Sequence, residues 1–77
     1  MTVPVNNHHV LVVEEDKQRR ELYIQSCEAG WAQSVQTATN PTDGLQMLNE
    51  DASISVVVFG GMFLFREDAQ RYLQPTI

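Results

Sequence analysis

Two short segments of this chain are apolar at every position, and they limit the folds that it can adopt. Residues 10–13 and 56–59 contain only valine, leucine and phenylalanine. A strand with one face in water alternates apolar and polar residues, so continuous runs predict strands that are covered on both faces. Such strands are typical of parallel sheets with helices on each side. The sequence therefore predicts an α/β fold in which residues 10–13 form a central strand.

Helical patterns separate the strand patterns along the chain. Asp16 is a suitable N-cap for the first helix, and Asn40 followed by Pro41 is a typical start of the second. A weaker strand pattern lies between the two helices, and a third helical pattern follows the second apolar run. The predicted elements are a strand at 10–13, a helix at 17–29, a strand at 34–38, a helix at 41–49, a strand at 54–59 and a helix at 66–73.

This alternation predicts parallel strands joined by right-handed helical crossovers. Ligands of such sheets bind at the carboxyl ends of the strands. Glu14, Glu15 and Asp16 follow the first strand, and Gly60 and Gly61 follow the third. If the first and third strands are neighbours, these two loops meet. The Gly60–Gly61 pair is also typical of a tight turn, and neither a dinucleotide-binding nor a P-loop motif follows any strand.

Length and composition restrict the chain to one small domain with few classes of partner. The chain has 77 residues, of which residues 1–7 are expected to be a flexible tail and residues 8–77 the domain. A net charge of −5 argues against nucleic-acid binding and against anionic membrane surfaces. The chain has neither a membrane-spanning apolar run nor the pattern of a signal peptide, so we expect a cytoplasmic protein.

Two residue types that often bind metals or react have structural interpretations here. His8 and His9 are adjacent, and adjacent residues of a strand point to opposite faces, so they do not form a metal site. Cys27 is the single cysteine and cannot close a disulfide within the chain. It lies on the apolar side of the first predicted helix, and we expect it to be a small core residue.

Three segments in order resemble the receiver domain of response regulators. "HVLVVEED" resembles the first strand of that family, commonly VLVVEDD, and "VQTATNPTDGLQML" resembles its second strand and helix. "ISVVVFGGM" resembles its third strand, commonly D-L-V-L-L-D-x-M, and the spacing of the three segments also matches. The final "QPTI" resembles the entry into the fourth strand. The resemblance covers residues 8–77 but only the first half of a receiver.

The resemblance implies a truncated flavodoxin-like fold of three layers, with a parallel sheet of strand order 2-1-3. In that family a histidine kinase phosphorylates an aspartate at the end of the third strand, with Mg²⁺ bound nearby. The metal ligands map to Glu14, Glu15 and the backbone carbonyl of Met62, and the phosphoacceptor position maps to Gly60. Glycine has no carboxylate, so this chain lacks the nucleophile of the phosphoryl transfer.

Loss of this aspartate also weakens the expected metal site. Mg²⁺ in proteins is normally held by carboxylates together with phosphate oxygens, and only Glu14 and Glu15 remain here. A solvated acidic strand end is the more frequent role of such a pair. We therefore expect no catalytic residue and no resident cofactor, with Mg²⁺ binding at Glu14, Glu15 and Met62 as a vestigial alternative.

Half a receiver would leave the third strand at the edge of the sheet. Apolar edge strands recruit other strands, because their backbone groups on one side lack partners. We therefore expect an interface at Val56, Val57, Val58 and Phe59, with pairing of this strand to its copy across a two-fold axis as one outcome.

The resulting functional prediction is a degenerate receiver-like signalling module that acts through protein association or dimerisation. Such a module would belong to a two-component system, as the N-terminal part of a transcription regulator. One alternative is a receiver fragment that still binds a ligand or accepts phosphate at a vestigial metal site. Another is a fragment with no independent function.

Overall fold

The computed structural model of the protein describes residues 8–29 and 32–73. The predicted tail at residues 1–7 and the segment "QPTI" at residues 74–77 lie outside these ranges. In chain order, the elements are β1 (His8–Val13), α1 (Lys17–Glu28), β2 (Ala32–Ala38), α2 (Pro41–Glu50), β3 (Ile54–Phe59), β4 (Met62–Phe65) and α3 (Arg66–Leu73).

The strands form one mixed sheet of order β2-β1-β3-β4. β1 is central and pairs in parallel with both β2 and β3, which confirms the α/β class and the order 2-1-3 of the first three strands. β4 pairs with β3 in the antiparallel direction. The prediction of a purely parallel, three-stranded sheet is therefore wrong, because a fourth strand lies between β3 and α3.

A two-residue hairpin turn at Gly60 and Gly61 produces this fourth strand. Their φ angles are 56° and 87°, and Phe59 pairs with Met62 across the turn. Turns with two positive φ angles match the twist of antiparallel strands, and glycine adopts these angles without steric cost. The chain therefore reverses at once after β3 instead of continuing directly into a helix.

The hairpin moves β3 to the interior of the sheet. Its Val56, Val57 and Val58 are buried and Phe59 is half-buried, with β1 on one side and β4 on the other. The prediction that β3 is an exposed edge strand is wrong, and an interface at these four residues has lost its physical basis. Among the described residues, β4 is the strand that ends the sheet on this side.

Helices cover both faces of the sheet, as the continuous apolar runs predict. On one face, α1 supplies Cys27 to a buried cluster with Val10, Val12, Val56 and Val58. On the other face, α2 and α3 supply Leu48, Ala69 and Leu73 to the larger cluster, which contains Leu11, Val13, Ala38, Ile54 and Val57. Full burial of a valine or leucine contributes about 1.5–3 kcal/mol, so these two clusters are the main source of stability.

Local sequence signals set the starts of α1 and α2. The Asp16 side chain accepts a hydrogen bond from the backbone of Gln18 at 2.9 Å, and the Asn40 side chain accepts one from the backbone of Asp43 at 2.8 Å. Each bond satisfies an amide that the first helical turn leaves without an internal partner. Both caps confirm the helix starts predicted from the sequence.

Gly44 allows α2 to lie close against the central strand. A Cβ atom placed on Gly44 would be 2.7 Å from the nearest methyl carbon of Val13. Real Cβ atoms do not approach that closely, so a larger residue here would push the helix away from β1. This close packing brings the start of α2 to the carboxyl ends of the parallel strands.

Arg66 joins the end of α2 to the start of α3. Its guanidinium group donates hydrogen bonds to the backbone carbonyls of Leu48, Asp51 and Ile54. The last carbonyls of a helix lack internal partners and carry a partial negative charge, so a guanidinium group is a favourable cap there. Arg66 directly follows β4, and it thereby holds the hairpin close to α2.

Candidate functional site

A cleft of about 260 Å³ lies at the carboxyl ends of β1, β2 and β3. The backbone amide of Gly60 donates a hydrogen bond to the carbonyl of Val13 at 3.3 Å, so the loops after β1 and β3 meet as predicted. The residues that line the cleft are Val13, Glu14, Glu15, Thr39, Asn40, Pro41, Phe59 and Gly60.

The acidic loop after β1 is held mainly by its own backbone and by α1. The amide of Glu14 donates to the carbonyl of Ala38 at 3.0 Å, which extends the pairing of β1 with β2 by one residue. One carboxylate oxygen of Glu14 accepts a hydrogen bond from the amide of Asp16 at 3.1 Å. Arg20 donates to the carbonyl of Glu14 at 3.0 Å. Glu14 therefore has a structural role in this loop, while Glu15 is exposed.

The residues predicted as metal ligands are not assembled into a cluster. Glu14 and Glu15 line the cleft, but Met62 is the first residue of β4 and does not line it. Within residues 8–29 and 32–73, no group of three or more histidine, cysteine, aspartate or glutamate side chains could hold a metal ion. Mg²⁺ needs several oxygen ligands in octahedral geometry, and the donor set at this cleft is small for that purpose.

Gly60 lies at the edge of the cleft in a left-handed backbone conformation. A Cβ atom at this position would have no neighbour within 4 Å, so space for a side chain exists. The φ angle of 56° nevertheless disfavours any other residue. The turn thus accounts for the glycine at position 60, which the receiver resemblance maps to the phosphoacceptor.

The chemistry of the cleft is restricted by the residue types that line it. They include two carboxylates, one threonine hydroxyl and one asparagine that caps α2. Histidine, cysteine and lysine, the usual partners in covalent catalysis, are not among them. The described residues of the cleft therefore offer two carboxylates and a hydroxyl group, without a histidine or lysine beside them.

The second surface feature is β4. The sequence analysis predicts neither a helix nor a strand for residues 62–65. Met62, Phe63 and Phe65 are 41%, 56% and 71% exposed, and they are among the most exposed large apolar side chains of the described residues. Two apolar runs separated by two glycines are a recognised hairpin signal, and "VVVFGGMFLF" contains it. The same pattern also fits a strand end followed by a loop, so the sequence is compatible with β4 but does not require it.

The side chains of β4 alternate between the two faces of the sheet. Phe63 pairs with Val58 and Phe65 with Val56, so both phenylalanines lie on the face that α1 covers. α1 packs on β1 and β2, and the hydroxyl group of its Tyr23 lies close to Gly61 in the hairpin turn. Leu64 lies on the other face and packs against the larger core cluster.

Polar side chains link the strands at the opposite end of the sheet. Nδ1 of His9 forms a hydrogen bond with the Ser34 hydroxyl of β2 at 2.6 Å, and Nδ1 of His8 forms one with the Ser55 hydroxyl of β3 at 3.0 Å. The two rings therefore contact different neighbouring strands.

Asp51 stabilises the loop before β3. Hydrogen bonds from the Ser53 side chain, then from the Gln36 side chain and the Ser53 backbone, hold the pKa of Asp51 below its usual value, and the nearby His9 adds a smaller effect. The Gln36 amide donates to the Asp51 carboxylate at 2.9 Å and thus ties the loop to β2. The charged form of Asp51 is therefore part of the folded structure.

Cys27 is buried on the sheet-facing side of α1. Burial, with a smaller contribution from the charge of Glu28, raises the pKa of its thiol. A raised pKa keeps the thiol protonated at neutral pH, and the thiolate is the reactive form. Cys27 is therefore a core residue, as expected from the sequence.

No family model, no curated protein and no solved structure matches the chain. Within residues 8–29 and 32–73, none of the helices has the length and apolar character required to cross a bilayer.

Proposed function

We propose that this chain is a non-catalytic association module, a receiver-like α/β unit that binds a partner by adding a strand to β4. The observation that carries the proposal is the apolar strand at the end of the sheet, with Phe65 as its most exposed large side chain. In this proposal the module belongs to a signalling protein of the two-component type and acts by presenting a surface.

Three features support the receiver-like part of the proposal. The first three strands have the order 2-1-3, α1 lies on one face of the sheet, and α2 and α3 lie on the other. The cleft lies between the acidic loop after β1 and the end of β3. The chain departs from the family pattern at the hairpin, because the resemblance implies a loop from the third strand directly into α3. Under the proposal, the hairpin replaces the phosphorylation loop.

The residues of the cleft support a function that does not involve phosphoryl transfer. Formation of an aspartyl phosphate requires a carboxylate nucleophile at the end of β3, and Gly60 supplies none. The carboxylates of Glu14 and Glu15 lie on the loop after the neighbouring strand instead. The Glu14 carboxylate is also engaged by the amide of Asp16.

The properties of β4 support strand addition as the mode of binding. Natural sheets protect their terminal strands with charged residues, proline, bulges or a covering segment. β4 has the sequence Met-Phe-Leu-Phe, which contains no charge and no proline, and it pairs with β3 without a bulge. A partner strand would gain backbone hydrogen bonds and contacts with the exposed phenylalanines, which is the general mode of β-augmentation.

A labelled peptide that repeats residues 60–67 provides a direct test of strand addition. We expect the protein to bind this peptide with micromolar affinity in fluorescence anisotropy, and Phe65→Lys to weaken binding at least about tenfold. Gln33→Lys is the matched control, because Gln33 is an exposed residue of the other edge strand, and it should leave binding unchanged. Absence of binding, or equal loss in both variants, would contradict the proposal.

The non-catalytic part is tested separately with a small phosphate donor. The protein is incubated with acetyl phosphate and Mg²⁺, and its intact mass is measured without acid treatment. We expect no phosphorylated species, because no carboxylate occupies position 60. A stoichiometric adduct that disappears in Glu14→Gln or Glu15→Gln would show that the acidic loop accepts phosphate, and the proposal would have to be abandoned.

A further inference from the structure

We infer that the partner of β4 is a second copy of this chain, bound through an antiparallel β4–β4 pair with its two-fold axis at Leu64. The inference rests on the proposed function, because it names the occupant of the same strand. Two sheets of order β2-β1-β3-β4 would then form one continuous eight-stranded sheet. A closed dimer of this kind removes the exposed edge from both copies.

The hairpin geometry selects one register from a small number of alternatives. A two-fold axis perpendicular to the sheet relates the two antiparallel strands without exchanging the faces of the sheet. Residues directly opposite each other then point to the same face, so the axis must pass between one residue and the same residue of the other copy. An axis at Phe63 would place Phe65 opposite Gly61, whose φ angle of 87° is not extended. An axis at Phe65 would place Phe63 opposite Glu67, which belongs to α3. An axis at Leu64 places Phe63 opposite Phe65 within β4, and Met62 opposite Arg66, the first residue of α3.

The Leu64 register also matches side chains across the new pair. Phe63 of each copy lies opposite Phe65 of the other, and both belong to the face on which α1 packs. Four phenylalanine rings would therefore meet on one face. Aromatic pairs across neighbouring strands are among the favourable contacts of antiparallel sheets.

The charges around β4 favour an antiparallel second copy. The chain has a net charge of −5, so two copies repel over most of their surfaces. β4 itself is uncharged, and its nearest charged neighbours along the chain, Arg66, Glu67 and Asp68, follow its C-terminal end. In an antiparallel pair these residues lie beside the uncharged glycine turn of the other copy. Like charges therefore stay at opposite ends of the paired strands.

The area available makes this a weak dimer. Phe63 and Phe65 are only partly exposed, so pairing removes roughly 250 Å² of aromatic surface per copy from water. Stable interfaces bury about 1,200–2,000 Å² in total, which four residues per strand do not reach. We therefore expect exchange between monomer and dimer at micromolar to millimolar concentration.

Disulfide trapping with variants that each carry one added cysteine beside Cys27 tests the register. Directly opposite residues of an antiparallel pair have Cα atoms about 4.5–5.5 Å apart, within the range that a disulfide spans. Phe63→Cys mixed with Phe65→Cys should give a mixed disulfide dimer under oxidised glutathione, whereas each variant alone should give at least fivefold less. Leu64→Cys should form a disulfide with its own copy.

The wild-type chain is the control for Cys27, which is fully buried and should not crosslink. Phe63 and Phe65 are exposed, so the mixed experiment remains decisive if Leu64→Cys fails to fold. Faster trapping of Phe63→Cys alone or of Phe65→Cys alone would overturn the Leu64 register.

The mass of the wild-type chain by light scattering, over about a hundredfold range of concentration, separates the two proposals. A mass that rises toward the dimer, with the expected disulfides, supports the second copy. A constant monomer mass without disulfides overturns the inference. If that monomer still binds the peptide of residues 60–67, the proposed function stands. If it binds no peptide, both proposals fail.

Discussion

The two terminal strands of the sheet differ in nearly every property that controls association. β2 has seven residues with four polar side chains, and it runs parallel to β1. β4 has four residues, all apolar, and it runs antiparallel to β3. Both α1 and α2 pack against β2, whereas α3 is the main helix against β4. The two edges therefore differ in chemistry: β2 presents mainly polar side chains, whereas β4 presents exposed apolar ones.

Polar side chains make β2 unfavourable for pairing with a further strand. Gln36 binds Asp51 and Ser34 binds His9, so two side chains of this strand are held by neighbouring parts of the fold. A partner strand along β2 would gain little apolar contact from such residues. The exposed phenylalanines of β4 have the opposite consequence, since water contact with them is unfavourable.

The largest expected effect comes from removing the turn that creates β4. The double variant Gly60→Val, Gly61→Val should lower the free energy of unfolding by about 2–4 kcal/mol, because each valine is forced into a positive φ angle. At Gly61 the new side chain also meets the hydroxyl group of Tyr23. Urea unfolding measures the change. Ala52→Val, in an exposed loop, is the control, and similar losses in both would contradict the role of the turn.

Loss of the Arg66 side chain should have the next largest effect. Arg66→Met leaves three carbonyls without their charged donor, and we expect a loss of about 1–3 kcal/mol in urea unfolding. Arg71→Met removes an exposed guanidinium group from the same helix and should change stability by less than about 0.5 kcal/mol. Equal effects of the two substitutions would mean that the carbonyl contacts contribute little.

Substitution of the most exposed residue of β4 should separate association from stability. Phe65→Thr keeps a residue that favours strands, so the monomer should change by less than about 0.5 kcal/mol in urea unfolding. Self-association should weaken by about tenfold in sedimentation equilibrium, since the aromatic contact is lost. Thr37→Ser on β2 should change neither quantity. A strongly destabilised Phe65→Thr monomer would show that Phe65 is part of the core.

The smallest expected effect is a pH dependence of the stability, caused by Asp51 beside the edge strand β2. The pKa of Asp51 is lower in the folded chain than in the unfolded chain, so its contribution to stability is present above the unfolded pKa of about 3.9. The contribution is lost as the pH falls through the lower folded value. Thermal unfolding of Asp51→Asn and wild type should therefore differ at pH 6 and converge near pH 2. A difference that grows on acidification would contradict this assignment.

Much of the parallel part of the fold could be predicted because its signals are local and redundant. Residues 10–13 and 56–59 are apolar without interruption, and Asp16 and Asn40 cap the helices as their sequence contexts indicate. β2 was predicted to begin at residue 34, but it begins at Ala32, because pairing with β1 extends a segment whose own strand signal is weak. Tertiary contact decided this boundary.

The end of β3 could not be predicted from the same kind of signal. Two glycines permit several turns, and four apolar residues are compatible with a strand or with the start of a buried helix. Only the positive φ angles of both glycines and the pairing of Phe59 with Met62 distinguish the hairpin. Glu14 and Glu15 line the cleft at the carboxyl ends of the strands, where the sequence predicts them. Met62 does not line the cleft, because the turn at Gly60 and Gly61 carries it into β4.

Arg66 has a mechanical consequence for a strand bound at β4. Its three carbonyl contacts join the residue that follows β4 to the C-terminal end of α2 and to the first residue of β3. A force applied along β4 would therefore be transmitted through Arg66, the first residue of α3, to α2 and to β3. Arg66 therefore connects the C-terminal end of the exposed strand β4 to α2 and β3.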